Sequence, residues 1–183
     1  TNEAAKLKAE EIITDGFPCA DHHKYAKKKS IKGHNAVIAD DGRMVIPVYV
    51  DGELVSVQHI DDQGGKFFLK GGRTKGGYCP IKGDPDQAIV CEGFATGATL
   101  AEVTGRTVYC AFNAGNLDAV TAYAKTKHPQ VVIAGDDDRW TEGNPGRTKA
   151  EAAAKAHGCK AVFPTFANVD DKPNDFNDLF IAE

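Results

Sequence analysis

Three consecutive aspartates, Asp136, Asp137 and Asp138, follow the apolar run Val131 to Gly135, and Glu92 follows the apolar run Ala88 to Cys91. Gly135 before the aspartates and Gly93 after the glutamate permit tight turns and close backbone approach. Residues two apart in extended backbone point the same way, so Asp136 and Asp138 share a side and Asp137 points elsewhere. With Glu92 on a neighbouring strand, three carboxylates would converge. Unpaired carboxylates at such range repel, and a hard divalent cation with oxygen ligands is the cheapest remedy. Mg²⁺ keeps several waters and binds through one or two carboxylates plus substrate phosphates, the arrangement of phosphoryl or nucleotidyl transfer. Taken singly, each feature has a plainer reading: an Asp-x-Asp is often a solvated turn, and a lone Glu92 could cap the helix after it. Both at strand ends of one series, they favour a site.

The elements that must position them come from a change of rhythm along the chain. From Pro85 onward, the apolar runs "AIVCEG", "TVYCAFN", "QVVIAGD" and "CKAVFP" alternate with the helical stretches "TGATLAEVTG", "NLDAVTAYAKTKH", "GRTKAEAAAKAHG" and "NDFNDLFIAE". Strands alternating with helices of this length predict a parallel sheet with crossover helices. Asn144 stands at the N-cap position of the third helix, Pro145 in its first turn and Gly158 at its stop. In an open parallel sheet ligands bind beyond the carboxyl ends of the strands, where Glu92 and Asp136–Asp138 fall. The first half reads differently. Helices are expected over 2–14 and about 19–29, then the short runs "NAVIAD", "RMVIPVYV", "ELVSVQHID", "KFFLKG" and "GYCPI", broken by turn signals at Asp41-Gly42, Asp51-Gly52 and Gly64-Gly65. This predicts a small antiparallel sheet with helices at its start, and Asp51-Gly52 is a good hairpin signal. The division is therefore 1–84 and 85–183.

The chain of 183 residues carries a net charge of −4, unevenly spread. Residues 1–84 hold 13 Lys/Arg against 12 Asp/Glu, and residues 85–183 hold 9 against 14. A nearly neutral half with basic clusters precedes an acidic half, which invites two roles. The basic residues bunch in "HHKYAKKKSIKGH" and "KFFLKGGRTKGG"; Lys27–Lys29 reads first as a solvated helix end. No apolar run approaches the roughly 18 residues of a membrane helix. The opening "TNEAAKLKAEEIITDG" reads as a polar helix, not a signal peptide, and the lack of an initiator Met is expected of a fragment excised from something longer. Five cysteines, Cys19, Cys79, Cys91, Cys110 and Cys159, include no CxxC pair, so no zinc ribbon is expected within this chain. Their odd, unclustered count suits a reducing cytoplasm. The six histidines show no metal spacing.

On these residues the chain resembles the Toprim fold shared by bacterial-type primases, topoisomerases and some nucleases, whose signature is a Glu-Gly after one strand and an Asp-x-Asp after a later one. "EGFATGATL", "AFNAGNL", "IAGDDD", "NPGRTKAEAAAKAHG" and "DFNDLF" together are similar to primases of satellite phages and conjugative plasmids. "GRMVIPVYVDGELVSVQHIDDQGGKFFLKGGRTKGGY" is similar to the region that precedes Toprim in them. The resemblance spans roughly residues 20 to 183. It implies an α/β fold with a Toprim-like, mostly parallel sheet and flanking helices, preceded by a small α+β subdomain with antiparallel strands that binds template.

The implied activity is that of a DNA primase catalytic core, making short RNA primers on single-stranded DNA by Mg²⁺-dependent nucleotidyl transfer, with Mn²⁺ an alternative cation. By resemblance Glu92 is a metal-proximal or acid–base group, Asp136 and Asp138 the metal-binding pair, and Asp175 the later acidic position. Two departures leave the ligand set of a second metal open: Thr96 stands where replicative primases carry another Asp, and Asp175-Phe176-Asn177 stands for a second Asp-x-Asp. Template contacts are expected from Lys66, Lys70, Arg73 and Lys75, interleaved with Phe67, Phe68 and Tyr78, at least one of the two phenylalanines being core. Arg139 and Trp140 are placed to touch a nucleotide, with Arg139 alternatively pairing with Asp137, and Arg147 and Lys149 are placed to meet a phosphate. Implied partners are ribonucleoside triphosphates, a single-stranded template and a replicative helicase domain or protein. The rivals are a Toprim nuclease with water as nucleophile and a non-catalytic DNA-binding module.

Overall fold

In this computed structural model, residues 1–18 and 20–183 are described, and Cys19 lies outside them. Thr1 caps helix α1 (Asn2–Asp15), its hydroxyl accepting the Ala4 N–H at 3.3 Å, and the helix buries Ala5 and Ala9. The second helix is shorter than the sequence predicts. A 3₁₀ turn at Ala20–His22 precedes α2 (Lys24–Lys29), because His23 is extended and accepts the Tyr25 N–H on its Nδ1 at 3.1 Å. The imidazole acts as an N-cap in place of the usual hydroxyl or carboxylate.

Strands β1 (Val37–Ile38), β2 (Met44–Val50), β3 (Glu53–Ile60) and β4 (Lys66–Phe68) form an antiparallel sheet in that order. Val50 pairs with Glu53, and Asp51 and Gly52 both take positive φ, 50° and 84°, the two-residue turn whose twist suits a hairpin. Ala9, Val37, Val45 and Val57 form a buried cluster with Ile12, Ile13, Leu54 and Leu69 around it. This first compact unit spans Thr1–Cys79 and the second Pro80–Glu183.

The run "GYCPI" is not a fifth strand of the first sheet. Tyr78 makes one antiparallel bridge to Tyr49, and Cys79–Ile81, here β5, then joins the second sheet instead. Pro80 has no N–H to donate, which suits a short strand at a sheet edge. The second unit continues through β6 (Asp84–Cys91), α3 (Phe94–Thr104), β7 (Arg106–Cys110), α4 (Leu117–Lys127), β8 (Gln130–Ala134), α5 (Pro145–His157), β9 (Lys160–Val162) and α6 (Phe176–Ala182), with strand order β5-β7-β6-β8-β9. The β6–β7, β6–β8 and β8–β9 pairs are parallel. Strand β6 is flanked on both sides and buried along its second half, as a continuous apolar run requires.

The order of strands makes the site. The chain leaves β6 through α3 toward β7 on one side, and leaves β8 through α5 toward β9 on the other. Between the adjacent strands β6 and β8 the connections diverge, opening a crevice at their carboxyl ends. Right-handed crossovers in opposite directions put helices on both faces, and α4 accordingly packs on α5 while α3 packs on α6. The α5 boundaries follow the local signals: Asn144 caps by accepting the Arg147 N–H, Pro145 opens the helix, and Gly158 closes it at φ 62°.

Candidate active site

Glu92 and Asp136 stand at the mouth of that crevice, one directly after β6 and the other two residues after β8. Glu92 is only 8% exposed. Their carboxyl groups are close enough to share a proton. Two carboxyl groups can share a hydrogen bond only if one keeps a proton. Burial, the partner's charge and that hydrogen bond raise the Asp136 carboxyl far above the carboxylate range, with Asp175 and Asp138 adding to the effect. Burial likewise raises Glu92, against the hydrogen bond from Asp136. Glu92 Oε2 and Asp136 Oδ1 are buried without any hydrogen-bond partner. Leaving two acidic oxygens dry and unpaired is costly unless a cation or donor completes them.

Asp138 is engaged differently. Its Oδ2 accepts the Gly146 N–H at 2.8 Å and its Oδ1 accepts from Asn174 Nδ2 at 2.7 Å. Asp175 is the N-cap of α6, accepting the Asp178 N–H at 2.8 Å in a capping box, and its charge reaches both Glu92 and Asp136. Thr96 is buried in the first turns of α3.

Asp137 turns the other way, as the alternation requires, and is 3% exposed. Its Oδ2 receives Arg139 Nη2 at 2.6 Å and Nε at 3.1 Å. Its Oδ1 receives Asn144 Nδ2 at 2.7 Å and Arg147 Nε at 3.2 Å. Its backbone N–H donates to Asn174 O at 2.7 Å. Burial opposes its ionisation, but the hydrogen bonds from Arg147, Asn144 and Arg139 and the charge of Arg147 outweigh it and hold the carboxyl below its usual range. Of the two readings open for Arg139, the structure shows the pair with Asp137. Arg147 is also occupied, by Glu151 at 3.4 Å and by the Phe163 ring 4.0 Å from its guanidinium, so its first role is to hold this loop. Lys149 is exposed on α5.

Gly146 is where α5 meets the aspartate loop. A Cβ there would stand 2.6 Å from Asp138 Oδ2 and 2.7 Å from Asp136 O. Gly146→Ala is expected to push the loop off the helix, lowering stability by about 1–3 kcal/mol and activity with it. Thermal melts and activity measured together check this, and a variant equal to the parent in both would contradict the close fit.

In the first unit Lys66, Lys70, Arg73 and Lys75 are all exposed. Tyr78, expected beside the template, is instead 3% exposed, stacked on Tyr49, with its hydroxyl accepting the Gly52 N–H at 2.9 Å, so its ring belongs to the core. Phe67 and Phe68 are both exposed, at 55% and 37%, because β4 is a three-residue edge strand that buries neither face.

One residue of the site, Asn174, gave no sequence signal, and two others, Asn144 and Asn177, make contacts that their local signals do not show. Asn174 holds Asp138 with its side chain and Asp137 with its carbonyl, yet lies 36 residues beyond Asp138. Asn144 looks like a helix cap, and its second contact to Asp137 is invisible locally. Asn177 is fully buried against Thr99 Oγ1 at 2.9 Å, tying α6 to α3.

A family described as Toprim domain matches residues 87–183. The chain belongs to the Toprim family. The Toprim unit carries the paired acids at the sheet's switch point, and the rest of the chain is matched too. Two Escherichia coli proteins, each named DNA primase TraC, are 42% identical over 164 residues and 38% identical over 179 residues, covering 82% and 90% of this chain. The chain spans 16% and 12% of those relatives' own lengths. Among solved structures, the DnaG catalytic core superposes with a TM-score of 0.64 at 11% identity, over 98% of this chain and 76% of that one. At that identity the likeness is one of fold. No helix among the described residues is long and apolar enough to cross a membrane.

Toprim domains and primases generally use divalent metals. Among the described residues no three His, Cys, Asp or Glu side chains form a preformed metal cluster. The two orphaned buried oxygens on Glu92 and Asp136 nonetheless fit a hard cation, which needs as few as one or two carboxylates when waters and phosphates supply the rest. The third candidate ligand, Asp138, accepts from Gly146 and Asn174 with its two oxygens.

Proposed function

We propose that this chain is the catalytic core of a DNA primase, joining ribonucleotides into short RNA on a single-stranded DNA template. The observation that carries the reading is the buried Glu92–Asp136 pair with its two unpartnered oxygens at the switch point of a Toprim sheet. A divalent cation, Mg²⁺ or Mn²⁺, would supply neutralising charge for a triphosphate and for the in-line transition state. Glu92 and Asp136 would hold it through Oε2 and Oδ1, with Asp138 and Asp175 adding negative potential beside them. Glu92 would also be placed to assist removal of the proton from the reacting primer hydroxyl. Asp137 and its arginines hold the loop, and the exposed Lys66, Lys70, Arg73 and Lys75 attract the template's phosphates. A cytoplasmic setting and work beside a replicative helicase belong to the same reading.

Incubating the chain with Mg²⁺, mixed-sequence single-stranded DNA and labelled ribonucleotides tests it. Short RNA products that vanish in Glu92→Gln are expected. Shortened template without RNA would replace this reading with a nuclease, and tight DNA binding with neither product would replace it with a binding module.

A further inference from the structure

Trp140 is the chain's only tryptophan, and it is 43% exposed two residues beyond Asp138. Its ring is held by one edge: Nε1 donates to Pro173 O at 3.1 Å. The next residue, Asn174, donates to Asp138 Oδ1. The indole edge and the carboxylate thus dock on consecutive residues of one loop, whose Cα atoms are about 3.8 Å apart. Between them the backbone closes a tight turn, with the Thr141 N–H donating to Asp138 O at 2.9 Å, and Arg139 within that turn is pinned on Asp137. Leaving an indole half in water forgoes much of its apolar burial, and fixing its edge costs rotamer freedom. Neither stabilises the fold. Both prepare a flat apolar face for a flat partner beside the acidic site.

We propose that Trp140 is the platform on which the base of the incoming ribonucleoside triphosphate stacks while its phosphates lie toward Glu92, Asp136 and Asp138. The assignment rests on the primase reading. Every base has a π-face, so stacking grips all four nucleotides without reading them, as a template-directed enzyme requires. A triphosphate brings a divalent counter-ion to carboxylates that repel the bare backbone of a polynucleotide.

Because the tryptophan is single, intrinsic fluorescence reports the contact directly in the full chain. Titrating ATP with Mg²⁺, without DNA, is expected to quench the emission saturably, and inorganic triphosphate with Mg²⁺ is expected to leave it unchanged. Trp140→Ala should raise KM for ribonucleotides about tenfold and alter kcat much less, and Trp140→Phe should recover most of the loss. Emission unmoved by ATP while the parent makes primers, or an unchanged KM in Trp140→Ala, overturns the assignment. So does quenching by a single-stranded oligonucleotide alone, which would make Trp140 a template contact. A parent that makes no primers fails the primase reading, while its response to ATP still decides the platform.

Discussion

Asp136→Asn is expected to lower primer synthesis about a thousandfold or more and, at the same time, to raise the melting temperature of the metal-free protein. The two effects share one cause. Glu92 is buried and Asp136 half-buried beside it, and loss of water together with neighbouring carboxylate charge raises both carboxyls above their ordinary range. Each therefore binds its proton more tightly folded than unfolded. Such groups weaken the fold as pH rises above the unfolded value of about 4 toward the raised folded values. The parent without metal should melt lower at pH 8 than at pH 5, by a few degrees if the pair costs about 1–2 kcal/mol. Asparagine removes the second ionisation and flattens that slope. Divalent cations should reverse it in the parent by displacing the shared proton, so their stabilisation grows from pH 6 to pH 8. Melting curves across pH, with and without Mg²⁺, read all of this. An Asp136→Asn protein that keeps its activity, or that retains the parent's pH slope, would remove the pair from the site.

Asp137→Ala, one residue away, is expected to move stability in the opposite direction. Asp137 is the common acceptor for Arg139, Arg147 and Asn144, and removing it strands the Arg139 guanidinium and the Asn144 amide and leaves Arg147 only Glu151 and the Phe163 ring. Deleting one partner of a buried pair costs about 3–5 kcal/mol. The lower end applies here, because the two arginine side chains are 42% and 37% exposed. For a chain of this size that is a fall on the order of 10 °C in melting temperature. The pH behaviour is inverted as well. The folded carboxyl lies below its unfolded value, so its stabilisation is present above about pH 4 and disappears as pH falls through the lower folded value. Asp137→Ala should therefore lack part of the parent's acid transition. Activity should fall too, since the loop that carries Asp138 is no longer held. Equal melting temperatures for parent and variant would show that the ion pairs do not hold the loop.

Opposite signs for neighbouring aspartates follow from something the sequence states openly. Alternation along extended backbone sends Asp136 and Asp138 one way and Asp137 the other, and the structure places Asp137 on Arg139, Arg147 and Asn144. Period also distinguished the two halves, an antiparallel sheet from strands alternating with helices, and the turn chemistry of Asp51-Gly52 and the caps of α5 were legible residue by residue. These are local properties, carried by a few neighbouring residues.

Where the outcome depended on distant partners, local reading missed. "GYCPI" has strand character, but which sheet it joins depends on the hydrogen bonds open to it, and the structure divides it between two. Tyr78 looks like a stacking aromatic among basic residues, yet Tyr49 and Gly52 claim it. Phe67 and Phe68 alternate as a half-buried strand should, but β4 is too short and too marginal in the sheet to bury either.

The sequence by itself determined which residues could do chemistry and at which strand ends they lie, because residue type and backbone period are written along one dimension. Only the tertiary structure decided that β6 and β8 are neighbours, although β7 lies between them in sequence. That adjacency brings Glu92 to Asp136 across 44 residues of chain and denies water to one oxygen of each carboxyl. It also left Asp138 and Asp137 to Asn174, a residue no local pattern singles out. Charge and burial become a site only when two chain segments share the same few ångströms, and sheet order sets that proximity.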